Sequence, residues 1–257
     1  WIFNALPYLE QESLYNRSRG LTGSAKLGAA ATMCSVPLPT FNCPSRRALK
    51  AYPVVPGSTA SKSVTPRNAA TLTHVALSDY AANGGSVYSD ITYTNRLGLG
   101  GLTWDYTCPE SYEHADSPIG RAKLEGVSQF CNGVVGVASM VTRGDLTDGT
   151  SSTLYCAEKF LNPNYYEVNE IVTEDLGDNE TMYAGNQWDA TRYTDRPPYQ
   201  DAVRDPDPWW AFGSAHPGAM NACFCDGSVR QIDYSIEPHV FERFGNGSDG
   251  QPINSEE

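Results

Sequence analysis

Apolar and polar positions alternate most clearly near the C-terminal end of the chain. Arg230, Ile232, Tyr234 and Ile236 fall on one side of an extended segment, and Val229, Gln231 and Asp233 on the other. This period-two pattern is that of an antiparallel strand with one wetter face. Met220-Asn221-Ala222-Cys223-Phe224-Cys225 precedes it, with Asp226-Gly227 in between. Asp-Gly between two extended segments predicts a hairpin, because the tight turn needs positive φ and glycine supplies it without a steric penalty. A glycine bulge in place of a two-residue loop would slip the pairing by one residue, so the buried face of the incoming strand stays open.

Elsewhere the periodicity is weaker. Leu6, Leu9 and Leu14 with Tyr8 and Tyr15 recur at mixed helical spacing, which predicts the tail of an N-terminal helix, or the turn after it, over residues 1–20. Residues 21–130 are rich in glycine, serine, threonine and proline and read as a strand-and-loop core, with a surface excursion from Ser58 to Thr73. The apolar run from Gly133 to Val141 predicts a buried strand. Residues 131–240 make the C-terminal sheet, interrupted at 162–210 by an insertion dense in Asp, Asn, Tyr and Pro, and 241–257 is a tail. The expectation is one α+β domain over residues 1–257, without internal repeats.

Composition narrows the function classes. With 18 basic and 30 acidic residues the net charge is −12, which repels phosphate backbones and anionic lipid headgroups and argues against a nucleic-acid partner. No stretch approaches the ~20 apolar residues of a membrane-spanning helix. The 23 glycines, 17 prolines and 15 tyrosines favour short strands and long loops. Seven cysteines, at 34, 43, 108, 131, 156, 223 and 225, predict up to three disulfides in an exported protein and at least one thiol outside any intrachain bridge. Spacing makes Cys34 with Cys43, and Cys108 with Cys131, plausible local pairs.

Four constellations have chemical readings beside structural ones. His216 with Asp226 can form a general-base pair, yet Asp226 is equally a turn residue and His216 equally a loop anchor. Cys223 and Cys225 with His216 or His239 offer soft zinc ligands, but a lone C-x-C lacks a second ligand pair at finger spacing. Asp201, Asp205 and Asp207, and separately Glu174, Asp175, Asp178 and Glu180, are calcium candidates, though neither group has EF-hand spacing. Trp188, Trp209 and Trp210, among Asp and Asn, fit a glycan-stacking surface or an aromatic subunit contact.

Phe212-Gly213-Ser214-Ala215-His216-Pro217-Gly218 with Phe224-Cys225-Asp226-Gly227-Ser228-Val229 resembles the C-terminal signature of a large bacterial family of type IV prepilin-like proteins of unknown function. That family is expanded in planctomycetes and marked by His, nine residues, then Asp-Gly; His216, Asp226 and Gly227 carry the match here. Three further motifs occur in order: Leu6-Pro7-Tyr8-Leu9-Glu10-Gln11; Phe41-Asn42-Cys43-Pro44-Ser45-Arg46-Arg47 with Ser78-Asp79-Tyr80-Ala81-Ala82-Asn83-Gly84-Gly85; and Thr147-Asp148-Gly149-Thr150-Ser151-Ser152-Thr153-Leu154 ending at Glu158-Lys159. The resemblance implies a pilin-like fold, with an N-terminal helix packed on an antiparallel sheet and long loops outside. It also implies a leader and an apolar anchoring helix ahead of Trp1, the only route to a membrane.

The function so implied is a structural one: a subunit of a pilus-like or pseudopilus-like filament or secretion apparatus at the cell surface, acting by assembly or adhesion. Its partners would be like subunits and other pilus or secretion components. It would need no enzymatic activity and no cofactor, calcium being the candidate ion. The alternative from another class is an exported carbohydrate- or calcium-binding module with a surface glycan as partner, and the third is a hydrolase centred on His216.

Overall fold

A computed structural model of the chain describes residues 1–54, 66, 68–86, 112–128, 131–136, 139–167, 177–185, 188–204 and 208–251. They fall into two compact units. The first comprises Trp1–Tyr80, Leu161–Ala190 and Asp201–Trp209; the second comprises Ala81–Phe160, Thr191–Gln200 and Trp210–Glu257. The chain is an α+β protein, and no described helix is long and apolar enough to cross a membrane.

The first unit opens with short helical pieces, α1 (Ile2–Ala5), a 3-10 turn at Leu6–Leu9 and α2 (Glu12–Tyr15). Pro7 suits the start of the turn, and Glu10 closes it in the left-handed region at φ 60°. Ile2, Leu6 and Leu14 pack with Leu38, Phe41, Ala76 and Met182. The Trp1 indole nitrogen donates to the Ala190 carbonyl at 2.8 Å. Helix α3 (Gly23–Cys34) follows, and β1 (Tyr52–Pro53) pairs antiparallel with β2 (His74–Val75).

The second unit carries the main sheet. Its strands are β3 (Tyr80–Asn83), β4 (Leu154–Glu158), β5 (Thr191–Arg192), β8 (Ala219–Phe224) and β9 (Val229–Asp233), in the order β5-β3-β4-β8-β9. The expected sheet was antiparallel. The observed one is mixed: β4–β8 and β8–β9 run antiparallel, but β5 lies parallel to β3. Two short strands, β6 (Tyr199–Gln200) and β7 (Gly213–Ser214), form a separate parallel pair. Helices α4 (Tyr112–Asp116) and α5 (Pro118–Ser128) precede β4, and α6 (Pro238–Gly245) follows β9.

The predicted hairpin is present, and its loop is the glycine-bulge form. Gly227 N donates to Phe224 O at 2.9 Å, Phe224 N donates to Ser228 O at 2.9 Å, and Gly227 stands at φ +87°. The resulting register opposes Met220 to Ile232 and Ala222 to Arg230. Leu154, Ala157, Met220, Ala222, Phe224 and Ile232 thus share a buried face with Phe241 of α6. Arg230 stays exposed at the end of that face, its guanidinium 4.3 Å from the centroid of the Phe224 ring. A Cβ on Gly227 would meet nothing within 4 Å, so the cost of a side chain there is conformational alone. Gly227→Val should therefore lower stability by about 1 kcal/mol or more, with a smaller loss for Gly227→Asn, which tolerates this region. Thermal melts of the two variants check this; an unchanged Gly227→Val melt contradicts it.

Other expectations need correction. The Gly133 run is not a strand in its described residues, 133–136 and 139–141. Gly133 instead lies against backbone: a Cβ there would sit 2.3 Å from Gly84 C and Gly85 N, and Val135 N donates to Asn83 O at 3.1 Å. Residues 23–34, read as strand and loop, form α3, where three consecutive alanines favour helix without an apolar stripe. The supposed tail contains most of α6, which starts on Pro238 and buries Val240 and Phe241. The insertion at 162–210 is no surface excursion throughout, because Met182, Asp189, Thr191 and Arg192 are buried and β5 completes the sheet. Most of the Ser58–Thr73 excursion lies outside the described residues.

Candidate functional site

In the second unit the signature residues sit around the β8–β9 hairpin. Asp226 holds the turn: its Oδ1 accepts from Ser228 N at 2.8 Å and from Ser228 Oγ at 2.7 Å. These bonds hold its carboxyl below the ordinary range. Its Oδ2 is 3.6 Å from Arg230. His216 uses its backbone similarly, its N donating to Ser214 Oγ at 3.1 Å while its carbonyl accepts the Tyr234 hydroxyl at 2.8 Å. The Ser214 and Ala219 carbonyls lie 3.2 Å from the same hydroxyl, whose one proton serves one acceptor at a time.

The general-base pair suggested by sequence is not His216 with Asp226. The carboxylate beside the imidazole is Glu158, whose Oε1 lies 3.2 Å from His216 Nε2. This contact has the distance of an ion pair without hydrogen-bond alignment, since Glu158 Oε1 has no hydrogen-bond partner. Glu158 is wholly buried at the end of β4, and its Oε2 accepts from Asn221 N at 2.8 Å and Asn221 Nδ2 at 3.1 Å. Asn221 thereby fixes the carboxylate on the face of β8 opposite the apolar core. Glu158 belongs to a motif visible in the sequence, but only the β4–β8 register brings it to Asn221 and His216. The arrangement supplies local anchoring of the loop before the hairpin.

The first unit holds a denser charged cluster. Arg46 Nε is 2.9 Å from Asp201 Oδ2, Arg46 Nη1 is 3.3 Å from Asp79 Oδ1, and Arg47 Nη2 is 2.9 Å from the same Asp79 oxygen. Arg47 also grips Asp178 with both terminal nitrogens, Nη1 to Oδ2 and Nη2 to Oδ1, the latter at 3.1 Å. All five side chains are at most 2% exposed. The remaining lone pairs are met from nearby backbone and a phenol: Asp79 Oδ2 accepts Cys43 N at 2.6 Å, Asp201 Oδ1 accepts Leu161 N at 2.9 Å, and Asp201 Oδ2 accepts the Tyr166 hydroxyl. Burial works to lower both arginine pKa values, but the carboxylates outweigh it, Asp201 and Asp79 for Arg46 and Asp178 and Asp79 for Arg47, and both end raised. Two of the calcium-candidate aspartates, Asp178 and Asp201, thus face arginines. Asp205, Asp207, Glu174 and Asp175 lie outside the described residues.

Glu180, from the second acidic group, is different. Burial, and then the neighbouring Asp189, push its carboxyl up to about 8; Asp189 Oδ1 accepts the Glu180 amide at 3.0 Å. The folded protein thus keeps a proton on Glu180 at pH values where the unfolded chain has released it. The associated stability is complete below the ordinary carboxylate pKa and is lost as pH rises through about 8. The melting temperature should fall between pH 5 and pH 8 on this account, and Glu180→Gln should flatten that decline. An equally steep decline in the variant contradicts this assignment.

The tryptophans engage their surroundings within each unit. Trp188 and Trp209 pack in the first unit with ring centroids 4.2 Å apart. Trp210, in the second, carries the Arg196 guanidinium 4.1 Å from its ring centroid, and its Nε1 donates to Asp195 at 3.4 Å. The expected local bridge between Cys34 and Cys43 is not formed, and both side chains are buried. Cys34 closes α3 among Tyr52, Leu72, Val75 and Leu77, where burial pushes its thiol up to about 11. Cys108 lies outside the described residues.

Comparison with curated proteins and with solved structures finds no match to the chain. Residues 1–239 match the family described as Protein of unknown function (DUF1559), and the chain belongs to that family.

Proposed function

We propose that the chain is the globular part of a pilin-like structural subunit, exported and displayed at the cell surface, which acts by assembling with like subunits or other pilus or secretion components. The observation that carries this reading is how the signature residues use their polar atoms. Asp226 holds a turn, Gly227 supplies its positive φ, and the His216 carbonyl receives Tyr234. A signature made of turn and sheet-closing residues specifies an architecture. The resemblance of four ordered motifs to prepilin-like proteins names the architecture, and the helical start of the chain followed by a sheet ending in β4–β8–β9 is compatible with it. Attachment and polymerisation then depend on an apolar helix ahead of Trp1.

Cells producing the full-length protein provide the test. Sheared surface material, labelled with antibody against this chain and viewed by negative-stain microscopy, should show decorated filaments or pseudopilus-like assemblies that a deletion strain lacks. N-terminal sequencing of the precursor should find a prepilin-type leader and an apolar helix. A conventional cleaved signal peptide together with a monomer free in the medium would overturn the proposal.

A further inference from the structure

Cys156 on β4 and Cys223 on β8 are direct cross-strand partners. A register irregularity between Leu154 and Cys156 turns the β4 thiol away from the apolar core. Inward positions on β8 are Met220, Ala222 and Phe224, while Asn221 and Cys223 lie on the other, half-buried side and Cys225 follows in the turn. The two thiols are close enough for each to shift the ionisation of the other. Directly opposed residues of an antiparallel pair have Cα atoms roughly 4.5–5.5 Å apart, inside the range that a disulfide spans without backbone movement.

We infer that Cys156 and Cys223 form the intrachain disulfide of this protein, made when the folded chain meets a disulfide-bearing oxidant in the exported compartment. Of the described cysteines, Cys34 and Cys43 are 3% and 2% exposed and closed to an oxidant, whereas Cys131, Cys156, Cys223 and Cys225 are partly covered, and of these Cys156 and Cys223 stand opposite each other in the sheet. Chemistry distinguishes the two sulfurs. Interaction with Cys156 brings Cys223 down to about 7, and interaction with Cys223 together with partial burial raises Cys156 well above an ordinary thiol. Cys223, the less deeply covered of the two sulfurs, is the one that an outside disulfide reaches first.

The exchange balances with a small-molecule disulfide, RSSR. The Cys223 thiolate attacks one sulfur of RSSR, forming a mixed disulfide and expelling RS⁻, which takes the Cys156 proton. The Cys156 thiolate then attacks the Cys223 sulfur, making the cross-strand bond and releasing a second RS⁻, which takes up the proton that Cys223 lost to solvent on forming its thiolate. Two protein thiols are oxidised and RSSR is reduced to two thiols.

Competing arrangements fit less well. Cys225 lies past the end of β8, in the hairpin turn, and the β4–β8 register sets Cys156 opposite Cys223 instead. Burial, then Cys223 and Asp226, push the Cys225 thiol up to about 11, which makes it the slower nucleophile. The three sulfurs are not all within 4.8 Å of one another, so they do not converge as a cage for a soft metal ion. The bond would join residues 156 and 223, enclosing Leu161–Ala190 and Asp201–Trp209, every segment of the first unit that follows Tyr80. Both ends of that excursion would be tied at neighbouring strands of the main sheet.

Purified protein equilibrated with oxidised glutathione, then quenched in acid, alkylated and digested with trypsin, tests the assignment by mass spectrometry. The peptides carrying Cys156 and Cys223 should appear joined, two mass units lighter than the sum of the free thiols. Cys225→Ser should give the same joined pair, and Cys223→Ser should lose it. The oxidised wild-type protein should melt about 5 °C or more above the reduced one. Full alkylation of Cys156 and Cys223 after oxidation, or a bridge from either to another cysteine, overturns the inference; so does a joined pair that vanishes in Cys225→Ser.

Discussion

Arg47→Met should lower the folding stability of the protein by about 3–5 kcal/mol, the cost of leaving buried carboxylates without their cation. Arg47 contacts both Asp79 and Asp178, at 1% side-chain exposure. Methionine matches its length and keeps the apolar packing of its stem, so the loss isolates charge and hydrogen bonding. Asp79 retains Arg46 and the Cys43 amide after the change. Asp178 loses the paired grip of both terminal nitrogens. Adding Asp178→Asn to Arg47→Met removes the charge that Arg47 had balanced and should recover at least part of the loss, as a double-mutant cycle in urea would read out. A single-variant loss under about 1 kcal/mol would mean that water or another group replaces the guanidinium.

That cluster also shows where sequence reading stops. Arg46-Arg47 stood within a recognisable motif, and Asp178 and Asp201 within acidic stretches that suggested calcium. Nothing in the spacing could say that each carboxylate meets an arginine from a segment more than a hundred residues earlier. The hairpin was legible because turn chemistry is local: Asp-Gly demands its own backbone conformation whatever surrounds it. Its register was not, since a glycine bulge and a two-residue loop share that signal. Helix α3 was missed because Gly, Ala and Ser mark both loops and closely packed helices, and its small residues give no apolar stripe to detect. The Gly133 segment misled in the opposite sense. Its Val and Gly pattern resembles a buried strand, but the glycine is required by the backbone of Asn83–Gly85 passing within van der Waals distance.

The motif around Asn83 yields the second large expected effect. Asn83 is wholly buried; its Nδ2 donates to Leu154 O and to Gly245 O, both at 2.9 Å, and its Oδ1 accepts Gly85 N at 2.8 Å. One side chain thus ties the start of β4 and the end of α6 to the loop leaving β3. Asn83→Asp keeps the shape and inverts the chemistry. An ionised carboxylate has no proton for either carbonyl, and a protonated one can serve only one of them. At pH 7 the loss should be about 3 kcal/mol or more, combining broken hydrogen bonds with an unpaired buried charge. Because the folded state disfavours the charged form, the pKa of the introduced carboxyl should rise above its unfolded value of about 3.9. Stability relative to wild type should therefore be best at low pH and fall as pH increases through that shifted pKa. Asn83→Ala, which leaves the same backbone groups unmet but introduces no titrating group, should be destabilised without this added pH dependence. Urea midpoints of the three proteins at pH 4.5 and pH 7.5 distinguish the cases. A parallel offset for both variants would mean that the cavity and lost hydrogen bonds account for the whole effect. A gap that widens with pH for Asn83→Asp alone identifies the two carbonyls as groups that require a donor, and gives the Asn83 motif its physical role in closing the sheet.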